Sequence, residues 1–107
     1  MSKNAHEVNG IEELDLEAWA KEHPTQPPPR CQRYRIRVDK SRFVVHDSAQ
    51  KGVEILALVG YTPDKWNLAQ KFPGGRREPI EPDQLVDFRE PGIERFETSP
   101  KEVQAGG

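Results

Sequence analysis

The apolar positions change their period along the chain, and each change marks an element. Ile11, Leu14, Ala18 and Trp19 fall near helical spacing, so an amphipathic helical stretch is expected from Ile11 to Lys21. Asp15 is placed to cap a shorter helix starting at Leu16. The prolines that follow, at 24 and 27–29, stop any helix because proline lacks an amide donor and crowds the preceding turn. Residues 24–29 read as a stiff, extended linker. The period then becomes two: Tyr34, Ile36 and Val38 alternate with Arg33, Arg35 and Arg37, the pattern of a half-buried strand. Asp39-Lys40-Ser41 turns the chain, and Arg42 to His46 supplies a second strand with Phe43 and Val45 inward. Together they predict a β-hairpin.

Asp47 is expected to open a helix, with Gln50 three residues on as its capping-box partner. Val53, Leu56 and Val59, with Ile55 and Leu58 beside them, give that helix a broad apolar face. Gly60 stands where a left-handed C-terminal cap is wanted, and Gly52 inside the helix costs about 1 kcal/mol against alanine. From Trp66 to Phe72 the chain alternates again, with Trp66, Leu68 and Phe72 apolar. Pro73-Gly74-Gly75 is a turn signal, followed by a short strand over Arg77–Ile80. Leu85, Val86 and Phe88 anchor the next loop, Pro91-Gly92 turns, and Ile93–Thr98 is the last strand with Phe96 inward. A hairpin, a helix and further strands make an α+β, two-layer arrangement with a right-handed crossover. The expected fold is a β-grasp, a mixed sheet of four to five strands packed on one helix. Residues 1–31 are expected as an acidic leader with a proline-rich linker, 32–98 as the domain, and 99–107 as a flexible tail. Leu14, Leu16, Ala18 and Trp19 could dock back on the domain or on a partner, but a flexible leader is the simpler expectation.

Composition narrows the chemistry. At 107 residues with 34% apolar and 32% charged positions, there is room for one domain with a small core. A net charge of −2 excludes a generally basic nucleic-acid binder. The single Cys31 excludes an internal disulfide and a Cys-based metal site, and it has no evident base to activate it. His6, His23 and His46 are scattered without ligand spacing, so no metal is expected. No apolar run approaches a membrane span, and the first ten residues lack the apolar core of a signal peptide, so a cytoplasmic location is expected. No nucleophile–base pair or carboxylate pair can be assembled, which argues against an enzyme.

Arg33, Arg35 and Arg37 share one strand face with Lys40 and Arg42 nearby. A nucleic-acid surface would interleave exposed aromatics, whereas Tyr34 faces the core. The face therefore reads as solvated, with docking of an acidic partner surface as its functional alternative. Pro73-Gly74-Gly75 lacks the lysine and Ser/Thr of a phosphate loop, which leaves a hairpin turn.

The segments YRIRVD (34–39), EILALVG (54–60), QKFPGG (70–75) and REPGIERF (89–96) carry a resemblance. Through them residues 33–98 resemble the bacterial multi-ubiquitin domain family. DLEAWAKE and its proline linker resemble the segments that join such domains, of which this chain carries one copy. The resemblance implies a ubiquitin-like protein modifier of a bacterial ubiquitination-like pathway, similar to those linked with antiphage defence. Its implied partners are an activating enzyme, a conjugating enzyme, a deubiquitinase-like metallopeptidase and target proteins. It implies no cofactor of its own, ATP being used by the activating enzyme; from charge and hydropathy neither nucleic acid nor membrane is expected as a partner, and a monomer is expected.

On that reading the chemical end is Gly106-Gly107. The Gly107 carboxylate is adenylated, passed to an enzyme cysteine as a thioester, and joined to a target by an isopeptide or related bond. Residues without Cβ suit a tail threading a narrow active site, and nine residues beyond Thr98 reach roughly 30 Å if extended. Precursors of such modifiers can extend past the glycines, so Gly107 is a native or a processed end. Two alternatives stand beside this reading: a sulfur carrier with a C-terminal thiocarboxylate, and a non-covalent interaction module. Ubiquitin shows its readers an apolar patch, whereas the matching outward positions here are Ala69 and Lys71, so partners would read a more polar face. Lys21, Lys40, Lys51, Lys65, Lys71 and Lys101 are all candidate acceptors for chain formation.

Overall fold

A computed structural model describes residues 12–102 of the chain. The elements in order are β1 (Glu13–Asp15), α1 (Leu16–Glu22), β2 (Arg33–Val38), β3 (Ser41–Val45), β4 (Ala49–Lys51), α2 (Gly52–Leu58), β5 (Trp66–Lys71), β6 (Arg77–Ile80), β7 (Leu85–Asp87) and β8 (Arg95–Pro100). Six strands form one mixed sheet in the order β1-β2-β8-β5-β6, with β3 on the far side of β2, while β4 and β7 make a separate ladder.

The β2–β3 hairpin follows the expected alternation. Tyr34, Ile36 and Val38 are buried and the arginines between them are half-exposed. Asp39 takes the turn at φ 55°, a left-handed conformation that Asp tolerates better than most residues. Its carboxylate also accepts from the Thr98 amide at 2.9 Å and the Thr98 hydroxyl at 2.6 Å. One turn residue thus ties the first hairpin to the last strand. At that end β2 runs parallel to β8, with Val38 opposite Phe96.

α2 supplies Ile55 and Leu56 to a core shared with Ile36, Val38, Leu68, Val86, Phe88 and Phe96. The rings of Phe88 and Phe96 meet edge to face at 6.2 Å, an arrangement favoured by their quadrupoles. Gly60 closes the helix at φ 80°. Its amide donates to the Ala57 carbonyl and that of Tyr61 to the Leu56 carbonyl, each at 3.0 Å, the paired bonds of a Schellman cap. The expected helix start at Asp47 is corrected. Ala49 to Lys51 pair antiparallel with Leu85 to Asp87, so helix begins only at Gly52, and Glu54 rather than Gln50 accepts the capping amide of Lys51 at 2.7 Å. Gly52 is not an interior helical residue but the first. A Cβ there would stand 2.4 Å from the Glu81 carbonyl oxygen, so close approach explains the glycine.

The largest departure lies in the leader. Residues 1–31 were expected outside the folded domain, yet β1 pairs in parallel with the first half of β2, Leu14 opposite Tyr34. β1 and β8 therefore divide one side of β2 between them. Asp15 caps α1 as expected, accepting from the Ala18 amide at 3.2 Å, and Leu16 and Ala20 are buried. The linker is also held: the Trp19 indole donates to the Gln26 carbonyl at 3.0 Å and Arg89 Nε to the Pro28 carbonyl at 3.3 Å. The main sheet has six strands where four to five were expected, and the short helix expected from Leu16 packs into the domain instead of lying outside it. The physical reason is a gap: β2 meets β8 only near its end, and the leader fills the edge left open. Two smaller expectations also shift. Leu85 points to solvent at 63% exposure, leaving Val86 and Phe88 as the anchors. β8 continues through Ser99 to Pro100, past the expected start of the tail.

Candidate functional site

The outer face of the sheet collects the sequence-predicted arginines beside the acids of the leader. The parallel register sets Glu13 opposite Arg33 and Asp15 opposite Arg35, so side chains of opposite charge share a face. Glu13 receives the guanidiniums of both Arg33, at 3.3 Å, and Arg35, and Asp15 meets Arg35 at 3.7 Å. Glu12 adds a contact to Arg33 at 3.5 Å. The Arg35 hydrogen bond, with Arg33 assisting, holds the Glu13 carboxyl below its ordinary range.

Glu17 is the centre of this face. It is 5% exposed and meets Arg37 at 2.9 Å, Arg42 at 3.4 Å, Arg95 at 3.5 Å and Lys21 at 3.6 Å. Burial alone would raise its pKa, but Arg37, Lys21 and Arg42 outweigh burial and hold it low. A buried carboxylate among that many cations is kept charged by its neighbours. Glu94, also 5% exposed, continues the network to Lys71 at 3.3 Å and Arg95 at 3.4 Å. Glu97 then joins Arg95 at 3.2 Å to Arg77 at 2.5 Å, and the Arg77 hydrogen bond lowers its pKa.

The structure thus brings Arg33, Arg35 and Arg37 together with the leader, and their charges are met inside the chain. Ala69 and Lys71 lie further along the same sheet on β5. Ala69 sits between Glu97 on β8 and Pro79 on β6, and Lys71 is half-buried against Glu94. The outward face of β5 is therefore small and charged, without a large apolar residue.

Gly106 and Gly107 lie outside the described residues. The last strand does show where the chain leaves the body. β8 pairs with β5 as far as Pro100 opposite Trp66, and the Lys101 amide donates to the Lys65 carbonyl at 2.9 Å. Lys101 and Glu102 are exposed. At this exit the rings of Tyr61 and Trp66 stack at 3.8 Å and 2°. Sequence reasoning missed the stack, because Tyr61 lies outside the alternating run that begins at Trp66.

A sheet in which β2 and β8 run parallel at the centre, flanked by hairpins β2–β3 and β5–β6 and covered by α2, is the ubiquitin-like β-grasp. The multiubiquitin family model matches residues 34–101. With most of its length matched, the chain belongs to the multiubiquitin family and contains a ubiquitin-like module. No curated protein and no solved structure matches it. The match begins at Tyr34, after β1, α1 and the linker, so the leader that completes the sheet lies before the matched segment. Among the described residues, no helix is long and apolar enough to cross a membrane.

Proposed function

We propose that the chain is a ubiquitin-like protein modifier whose reactive group is the carboxylate of Gly107, at the native end or after removal of any residues that follow. An activating enzyme adenylates that carboxylate with ATP, releasing pyrophosphate. The acyl group passes to an enzyme cysteine with release of AMP, then to a conjugating enzyme, and finally to an amine of the target, which displaces the thiol. A metallopeptidase of the deubiquitinase kind would reverse the bond. The observation that carries the reading is the exit of the chain from β8: ladder pairing ends at Pro100, Lys101 and Glu102 are exposed, and five residues follow Glu102, the last of them Gly107. Five residues span roughly 17 Å when extended, a useful reach into a narrow enzyme channel, and two terminal glycines remove the side chains that would obstruct it.

The body contributes recognition. With Arg33, Arg35 and Arg37 engaged by the leader, the surfaces offered to partners are the polar outer face around Ala69 and Lys71 and the Tyr61–Trp66 stack beside the exit. Stacked aromatics at the root of the tail give an enzyme a rigid feature to grip while it draws the carboxylate inward.

The test is reconstitution. The chain is incubated with ATP and activating and conjugating enzymes of the kind the family resemblance implies, and the products are read by non-reducing gel and intact mass. The expected result is an adduct that disappears on reduction and does not form when Gly106 and Gly107 are deleted. Enzymes that bind ATP and carry a reactive cysteine yet never take up the chain would overturn the reading and favour a non-covalent module. A terminal oxygen-to-sulfur exchange in protein from its own cells would instead favour a sulfur carrier.

A further inference from the structure

Every arginine of the chain but two meets a carboxylate within the described residues. The exceptions are Arg30 and Arg89, and both line the same cavity. That cavity measures about 400 Å³ and is bounded by Arg30, Cys31, Tyr34, His46, Ser48 and Arg89. Among the described residues no carboxylate lines it. It forms where the linker passes between the end of β3 and the loop after β7, positions far apart in sequence.

We propose that this cavity binds a phosphoryl dianion, with Arg30 and Arg89 as cationic forks and Ser48 and His46 as further donors. Guanidinium presents planar, paired N–H groups that match phosphate oxygens, and two such groups balance a dianion. A carboxylate offers two oxygens, fewer than these donors can engage, whereas phosphate offers three or four. The backbone that carries Arg30 is fixed on both sides. The Tyr34 hydroxyl donates to the Pro29 carbonyl at 3.4 Å, the Cys31 thiol to the Arg33 carbonyl at 3.1 Å, and Arg89 Nε to the Pro28 carbonyl at 3.3 Å. Among the described residues Arg89 donates from its side chain through that nitrogen alone, so its terminal amino groups remain for a ligand. Burial raises the Cys31 pKa, so the thiol is uncharged near neutrality and repels no anion. Asp87 accepts from the Arg89 backbone amide at 2.9 Å, and neither it nor the neighbouring Asp47 and Glu90 lines the cavity. Because Arg30 and Cys31 precede the matched family segment at 34–101, the site belongs to the join of leader and domain and stands apart from the modifier reading.

The experiment is an amide-resolved NMR titration of the full chain with inorganic phosphate, against sodium chloride at equal ionic strength. Saturable shifts are expected at the amides of Arg30, Ser48 and Arg89. Arg30→Ala is the cleanest variant, since this side chain is exposed and makes no ion pair among the described residues. It should bind roughly tenfold more weakly, the loss expected for one deleted charge-assisted contact. Ser48→Ala should also weaken binding, while Arg76→Ala, outside the cavity, should not. Titration with AMP and with a phosphoserine peptide assigns the source of the phosphoryl group, and tighter binding of either one supports the site. Shifts that follow ionic strength alone, or an Arg30→Ala variant that binds phosphate as the parent does, would overturn the proposal.

Discussion

Replacing Glu17 with glutamine removes one charge and almost no volume from the centre of the outer face. The Glu17 side chain is 6% exposed, whereas Arg37, Arg42 and Arg95 keep 29%, 52% and 23% exposure. Removing one partner of a fully buried pair costs about 3–5 kcal/mol, because the other charge is left uncompensated. Here the cations can turn partly to water and other acids remain nearby, so we expect about 2–3 kcal/mol, between that figure and the value of exposed pairs. For a domain of this size that lowers the melting temperature on the order of 10–20 °C. Urea denaturation of the parent, Glu17→Gln, Arg37→Gln and the double variant measures the loss and the coupling between the two side chains. The m-values should agree, so that the change reads as stability. A loss below about 0.5 kcal/mol, the size of a surface ion pair, with no coupling to Arg37, would refute the claim that Glu17 locks the leader to the sheet.

Leu16→Ala should cost about 2–4 kcal/mol, as for other fully buried leucines, and deletion of residues 1–22 should cost at least as much. A leader that merely hangs from the domain would lose almost nothing in either variant. Gly52→Ala should destabilise by about 1–3 kcal/mol through overpacking, since its Cβ would meet the Glu81 carbonyl at 2.4 Å. Gly60→Ala, with open space around it but a φ of +80°, should cost only the backbone strain, about 1 kcal/mol. Thermal melts of the two side by side distinguish contact from conformation. Acid should weaken the fold in a defined direction. Glu13, Glu17 and Glu97 are all held below the ordinary carboxylate value of 4.5, so their contribution is complete above that value and is lost as pH falls through the lowered folded values. Denaturation midpoints should be level from about pH 7 to 5 and fall below about 4.5, less steeply in Glu17→Gln.

Local pattern carried the domain and failed where distant residues decide. The alternation of Tyr34, Ile36 and Val38 with arginines marked β2 because a half-buried strand needs period two, and Gly60 marked the end of α2 through its own backbone. β1 left almost no mark. It is a three-residue strand, Glu13–Asp15, that pairs in parallel with residues about 20 positions away, and no turn joins them to signal the pairing. The acidic residues nearby read as a solvated leader, although they are the counter-charges of Arg33, Arg35 and Arg37. Asp47 and Gln50 carried a valid capping pattern that lost to tertiary pairing, because Ala49–Lys51 is drawn into a ladder with Leu85–Asp87. The cavity of Arg30, His46, Ser48 and Arg89 was illegible for the same reason. Its residues come from a linker, a strand end and a loop, and only the folded chain sets them side by side.

The modifier reading is tested most directly on conjugates from the cell in which the chain is made. Affinity-purified material is digested with trypsin, which cuts after Lys101 and leaves Glu102-Val103-Gln104-Ala105-Gly106-Gly107 attached to whatever residue the chain has joined. The account predicts acceptor peptides heavier by that hexapeptide, less one water, and their loss when the activating enzyme is inactivated. Recovery of the hexapeptide only with a free or sulfur-bearing terminus, or only inside a longer uncut peptide, would contradict it.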